Sequence, residues 1–362
     1  MRTLFYSAAI AALTLAGLQA ATEPIAGSST RGEKLFQTEH CVQCHSINGK
    51  GGNVGPDLGK VIDRNFTPTE LAGLMWNHAP AMWEAMRSHG VERASLSPEA
   101  AADLFAYFYS VRFFDKPGDA ARGKQIFTGR HCVECHAQNV GTWEGVGHPI
   151  VLAQQMWNHS AKMRAAQVNK KIAWQQLTTQ DLTDLLVYLR NLPEAKRLGS
   201  SFDLEPSPGG REVFESKGCI KCHTGKLALE NRLHNQTLTD IAVDMWNHAP
   251  KMVQPPPELS LDDMRRLVSY LWVQQFFRGG GSASKGKKVF ADKHCVACHG
   301  VAGSGAPNLQ AQAGNFSAVS VISSLWRHGP RMLEKIQSTT HYPWPRFDGT
   351  QMEDLIAFLN SK

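Results

Sequence analysis

Cys-X-X-Cys-His occurs four times in this 362-residue chain, as Cys41-Cys44-His45, Cys132-Cys135-His136, Cys219-Cys222-His223 and Cys295-Cys298-His299. These copies use all 8 cysteines. Two thiols three residues apart on one helical turn can bond to the two vinyl groups of one porphyrin. The next histidine then falls beneath the iron as its proximal ligand. The chain is therefore expected to carry four haem c groups, with thioethers at the eight cysteines and proximal ligands His45, His136, His223 and His299. A zinc half-site needs a second ligand pair nearby, and a thioredoxin-type pair needs a βαβ setting. The cysteines here come in isolated pairs and their flanks read as helices. Four disulfides would not call for a histidine after every second cysteine.

The N-terminus reads as an export signal over residues 1–21. Arg2 precedes an apolar run from Leu4 to Leu18, and small residues follow at Ala20 and Ala21. An uncleaved anchor is the competing reading, because the run falls slightly short of a membrane span. Haem is joined to CXXCH outside the bacterial cytoplasm, so a periplasmic or secreted location is expected. The formal charge of +6, from 38 Lys+Arg against 32 Asp+Glu, contains no basic run and does not point to nucleic acid. Two propionates per haem would offset that surplus.

Superposing the motifs exposes a repeat of about 75 to 90 residues. Nine residues before each first cysteine stands Gly32, Gly123, Gly210 or Gly286, and five before it stands Phe36, Phe127, Phe214 or Phe290. This reads as an amphipathic helix entering each haem site. Each unit closes on a second helix with apolar residues at i, i+3, i+4 and i+7. The sets are Ala101, Leu104, Phe105, Phe108; Leu182, Leu185, Leu186, Leu189; Met264, Leu267, Val268, Leu271; and Met352, Leu355, Ile356, Leu359. An aromatic recurs in each, at Tyr107, Tyr188, Tyr270 and Phe358. The glycine would let the two helices approach closely, with the aromatics filling the contact.

On these residues the chain resembles class I cytochrome c repeated four times. The resemblance implies an all-α fold of four tandem small domains, each built around one covalent haem. The expected domains are 27–115, 117–198, 205–278 and 282–362. Joints are read at Phe114 to Gly118, Leu198 to Gly209 and Arg278 to Ser282. Short joints keep neighbours close, so the haems are expected to form a row. Units of this size have little core of their own, and buried haem is expected to supply much of each fold.

Every unit also repeats Trp-X-His-X-X-X-Met, from Trp76, Trp157, Trp246 and Trp326. On a helix the histidine and methionine share one face. The resemblance favours methionine as the distal ligand: Met82, Met163, Met252 and Met332. Bis-histidine ligation through His78, His159, His248 and His328 is the alternative, and would give a lower potential. The tryptophans read as pocket walls. His40, His131 and His294 precede three first cysteines but Gly218 stands in the third copy, so they read as surface residues. Family members carry a Gly-Pro-X-Leu stretch whose proline carbonyl accepts from the proximal imidazole. Gly55-Pro56-Asp57-Leu58 matches it, Ala306-Pro307-Asn308-Leu309 matches in part, and Pro149 is a loose candidate. The third unit has no such proline.

The expected function is electron transfer without substrate chemistry, between a donor and an acceptor protein. Candidate partners are a membrane quinol oxidoreductase, a periplasmic dehydrogenase or reductase, and a terminal oxidase. The alternative is a haem enzyme, a peroxidase or an oxidoreductase of small sulfur or nitrogen compounds. That reading requires an exchangeable ligand position on one iron. A stacking structural subunit is the third reading.

Overall fold

A computed structural model describes residues 27–59, 67–93, 95–113, 118–136, 140–197, 208–229, 232–233, 236, 238–252, 256–277, 281–348 and 350–361. The expected export signal and most of each joint lie outside these residues. Each sequence unit contributes a first, a middle and a last helix. The first unit holds α1 (Ser29–Thr38), α2 (Pro68–Ser88) and α3 (Pro98–Phe113). The second holds α4 (Ala120–Gly129), α5 (Pro149–Asn169) and α6 (Thr179–Arg190). The third holds α7 (Gly210–Ser216), α8 (Leu238–His248) and α9 (Leu261–Phe277), and the fourth α10 (Ala283–Asp292), α11 (Ala318–Thr339) and α12 (Gln351–Asn360). The strands described are a two-stranded hairpin, Ser46–Ile47 against Lys50–Gly51.

First and last helices cross at the repeated glycine. A Cβ on Gly32, Gly123, Gly210 or Gly286 would run into the carbonyl of Asp103, Asp184, Arg266 or Asp354. It would also meet the Cβ of Tyr107, Tyr188, Tyr270 or Phe358. The repeated phenylalanines meet those aromatics with ring centres 5.8, 5.7, 6.0 and 5.4 Å apart. The periodic residues of the last helices are buried as expected, with Leu186 half-buried.

Three of the crossings share a feature absent from the apolar pattern. Asp103, Asp184 and Asp354 are buried, and each accepts from a backbone N–H at the start of the first helix, that of Ser28, Asp119 or Ser282, at 2.7 Å. Arg31 and Arg122 reach back to Asp103 and Asp184 in ion pairs of 2.7 and 2.9 Å. The carboxylate thus satisfies an orphan helix donor and faces its positive end. The third crossing has Arg266 instead, and Gly209 in left-handed conformation (φ 83°) begins its first helix.

Middle helices dock one unit on another, and the pairing is first with fourth and second with third. Asn158 in α5 grips one backbone residue of the third unit, donating to Leu259 O at 2.7 Å and accepting from Leu259 N at 2.9 Å. Asn247 in α8 returns the grip on Leu177, at 2.8 and 2.9 Å. Asn77 in α2 holds Phe347 of the fourth unit in the same way, at 2.6 and 2.8 Å. The fourth unit has Arg327 in place of asparagine, and Ser323, one turn earlier, donates to Leu96 O at 2.8 Å.

The tryptophans before these asparagines are docking residues rather than simple pocket walls. Trp76, Trp157 and Trp246 donate their indole N–H to the carbonyls of Pro345, Pro257 and Gln175 in the partner unit, at 2.8, 2.8 and 2.9 Å. Pro80 inside α2 has no N–H for the carbonyl four residues back. That carbonyl, on Trp76, accepts instead from the indole of Trp344 at 3.0 Å. Trp83 completes this interface by lying against Gly329 of α11, where a side chain would meet its ring.

Asp184 allows a test of the crossing. Burial opposes its ionisation, but hydrogen bonds from Arg122, the Asp119 N–H and Gln180 outweigh burial and hold the carboxyl below its ordinary value. Such a group stabilises the fold above the unfolded-state value of about 3.9, and the benefit is lost as pH falls through the folded-state value. Asp184→Asn keeps the shape and removes the charge, and is expected to cost on the order of 1.5–3 kcal/mol at neutral pH. The gap from wild type closes as pH falls through the acid range. Thermal melts of both proteins at stepped pH check the size and the direction.

Candidate haem sites

Each Cys-X-X-Cys-His segment folds as one short turn at the end of a first helix. The histidine N–H closes it on the first cysteine carbonyl, at 2.9, 2.9, 3.0 and 2.9 Å for His45, His136, His223 and His299. The turn is entered through a left-handed residue: His40, His131 and His294 at φ 65°, 61° and 60°, and Gly218 at 78°. This explains why glycine and histidine alternate there, since the position is defined by its backbone. His40 contacts Gln43, His131 pairs with Glu134 at 2.6 Å, and His294 stacks on Tyr342. None of the three turns toward the proximal imidazole in these contacts.

No disulfide joins any of the eight cysteines in the structure. The first of each pair is partly buried, whereas Cys135 and Cys222 are exposed. Burial pushes Cys41 and Cys295 up to about 11, and raises Cys132 and Cys219 in the same direction.

Three of the four candidate proximal imidazoles are oriented by backbone carbonyls. Nδ1 of His45 donates to Pro56 O and Nδ1 of His299 to Pro307 O, each at 3.0 Å. A carbonyl only accepts, so the proton lies on Nδ1 and the Nε2 lone pair is left for a metal. Gly55 passes so close to the His45 ring that a Cβ there would overlap it. Asp57 holds the adjoining hairpin by accepting from the N–H groups of Asn48, Gly49 and Gly59. The third unit lacks the proline but keeps the bond: His223 Nδ1 donates to Leu227 O at 3.2 Å. In the second unit Pro149 starts α5, and His136 instead meets the edge of Trp143 with centres 5.0 Å apart.

The distal candidates ride on the middle helices. His78 with Met82, His159 with Met163 and His328 with Met332 lie on α2, α5 and α11. In the third unit α8 ends at His248. A 3-10 turn over Ala249–Lys251, containing Pro250, then leads to Met252 in extended backbone. The histidine rings face the proximal ones in two units: His136 and His159 have centres 6.2 Å apart, and His223 and His248 5.6 Å apart. Two imidazoles sharing a metal, with bonds of about 2 Å on either side, have ring centres about 6 Å apart. Burial, and then the facing His159, lowers the pKa of His136. Burial, and then the facing His223, lowers that of His248. Both shifts favour the neutral, metal-binding form. In the first unit Nδ1 of His78 donates to Leu74 O at 2.8 Å, which again leaves Nε2 available.

The second unit borders an open pocket of about 870 Å³. Cys132, Cys135 and His136 line one side, and His159 and Met163 also line it, within a largely apolar wall. Its size lies within the about 300–1,000 Å³ typical of cofactor sites. Thiols, two opposed imidazoles and apolar walls fit a covalently attached haem.

Comparison with known families gives a match to the cytochrome c model over residues 29–112 and 283–362. These are the first and fourth units, the two in which a proline carbonyl receives the proximal imidazole. No curated protein and no solved structure matches the chain. The two family matches, on a mostly helical fold with CXXCH turns, support a haem electron-transfer protein of the c-type cytochrome kind, built with repeats.

Proposed function

We propose that this chain is an exported tetrahaem cytochrome that passes single electrons between a donor and an acceptor protein. The observation that carries this reading is the CXXCH turn, present four times with one backbone geometry. Haem c, bound through the eight cysteines, would supply one-electron exchange at iron. The protein would hold each porphyrin through Cys41 and Cys44, Cys132 and Cys135, Cys219 and Cys222, and Cys295 and Cys298. His45, His136, His223 and His299 would be the proximal ligands. The export signal and the chemistry of haem attachment favour the periplasm. A quinol oxidoreductase, a periplasmic dehydrogenase or a terminal oxidase would fit as partner.

For the distal position, the facing rings of His136 with His159 and His223 with His248 favour histidine in the second and third units. His78 is oriented for the same role by Leu74 O, and His328 holds the equivalent place on α11. On this reading Met82, Met163, Met252 and Met332 line the pockets, in keeping with the half-buried contacts that Met82, Met163 and Met252 make with the apolar cores. Imidazole in place of thioether lowers the potential relative to a His/Met carrier. With both axial positions filled, no coordination site is left open for a substrate, which favours a carrier over an enzyme.

The first experiment is an absorption spectrum of the oxidised protein, extended into the near infrared, with haem counted per chain. Four low-spin haems lacking a thioether–iron charge-transfer band are expected. A band scaled to four haems would hand the distal position to the methionines, and fewer haems would defeat the tetrahaem reading. His159→Ala and His248→Ala are each expected to turn one haem high-spin by electron paramagnetic resonance, with Met163→Ala leaving all four low-spin. Gly55→Ala forces a methyl into the His45 ring, at a cost of about 1–3 kcal/mol. Its expected result is a shifted potential or lost occupancy at the first haem alone, read by redox titration and intact mass.

A further inference from the structure

The second and third units do more than touch: the third builds part of the second's pocket. The cavity that holds Cys132, Cys135 and His136 is also lined by Trp246 and Glu258, which belong to the third unit. Trp246 stands two residues before His248 on α8, so one helical turn carries both a wall of the second site and the distal candidate of the third. Its indole is immobilised from two sides. The N–H donates to Gln175 O at 2.9 Å, and the ring stacks on Trp174 with centres 4.3 Å apart at 30°. The next residue, Asn247, clamps Leu177, itself a lining residue of the same cavity. The reciprocal turn, Trp157-Asn158 ahead of His159, grips Pro257 and Leu259 beside Glu258.

We propose that Trp246 is a positioning residue shared by the second and third haem sites, and that these two sites act as one electronically coupled pair. This rests on the tetrahaem reading above. An electron leaving one site of the pair reduces the other, with no proton or bond exchanged, and Trp246 fixes their spacing by walling the second site from the helix that carries His248.

The test is Soret circular dichroism of the holoprotein, where two haems in fixed contact give a paired positive and negative band. Wild type is expected to show this couplet, and Trp246→Phe, which keeps an aromatic ring, to retain it. Trp246→Leu is expected to lose couplet amplitude and to shift the potentials of two haems in a redox titration, with four low-spin haems still bound. Should Trp246→Leu fail to fold, Asn158→Ala with Asn247→Ala opens the same interface and is read identically. A wild-type protein with four haems and no couplet overturns the proposal. So does a Trp246→Leu or double-asparagine variant that keeps four haems and an unchanged couplet. Haem content below four in the wild type, or absence of reversible reduction, would instead strike the tetrahaem reading itself.

Discussion

An asparagine side chain that imitates a strand partner organises this molecule above the level of the single unit. Asn77, Asn158 and Asn247 each pair with both the N–H and the carbonyl of one residue in another unit. The segment they grip leads into that unit's last helix, and has no ladder partner of its own. Leaving those backbone groups unpaired at a half-buried interface would cost roughly 1–3 kcal/mol each. The clamp also sits one residue before His78, His159 and His248. Docking therefore sets the depth of these three middle helices and, with it, the distance from His78, His159 and His248 to the CXXCH histidine of the same unit. Pocket geometry and quaternary-like assembly are one constraint here.

The quasi-equivalence breaks at definite places. In the third unit Arg266 replaces the crossing aspartate, Gly209 replaces a capping side chain, and the first helix is the shortest, 7 residues. Leu227, after the left-handed Gly225, replaces the proline carbonyl. The local chemistry changes while the turn and the proximal bond persist. Backbone geometry is thus the invariant, and side chains are interchangeable means to it. The residue before each first cysteine makes the same point: its left-handed φ recurs in every copy, and histidine or glycine serves equally.

Much of this was legible in the residues alone. The glycine crossings, the aromatic partners and the buried stripes of the last helices follow from period and spacing, because each is a local pattern repeated four times. The Pro56 and Pro307 carbonyl bonds are what the resemblance to class I cytochrome c implies for these two stretches. What stayed hidden was non-local. Asp103, Asp184 and Asp354 sit in apolar helices, and their recurrence was a usable signal of a buried polar anchor. The clamp asparagine lay in the X of Trp-X-His-X-X-X-Met and recurs in three copies. No helical period reveals that its partner lies 70, 101 or 270 residues away. The tryptophans were recognised as repeated, yet a repeat within one chain does not say whether the contact is made inside a unit or between units.

The nesting of the pairs has a physical logic. Second with third closes contacts across 61 to 105 residues, and first with fourth across 227 to 270. Closing a longer loop costs only slightly more entropy, about 0.6 kcal/mol per doubling. Thermodynamics therefore permits the wide pairing, but order of appearance does not treat the two alike. The inner pair can dock once the third unit is present, whereas the outer pair must wait for the strap around Trp344–Phe347 near the C-terminus. Tyr109 and Trp272, with ring centres 5.2 Å apart, join the first unit to the third. The inner pair thus offers a surface on which the first unit can settle before its own partner arrives.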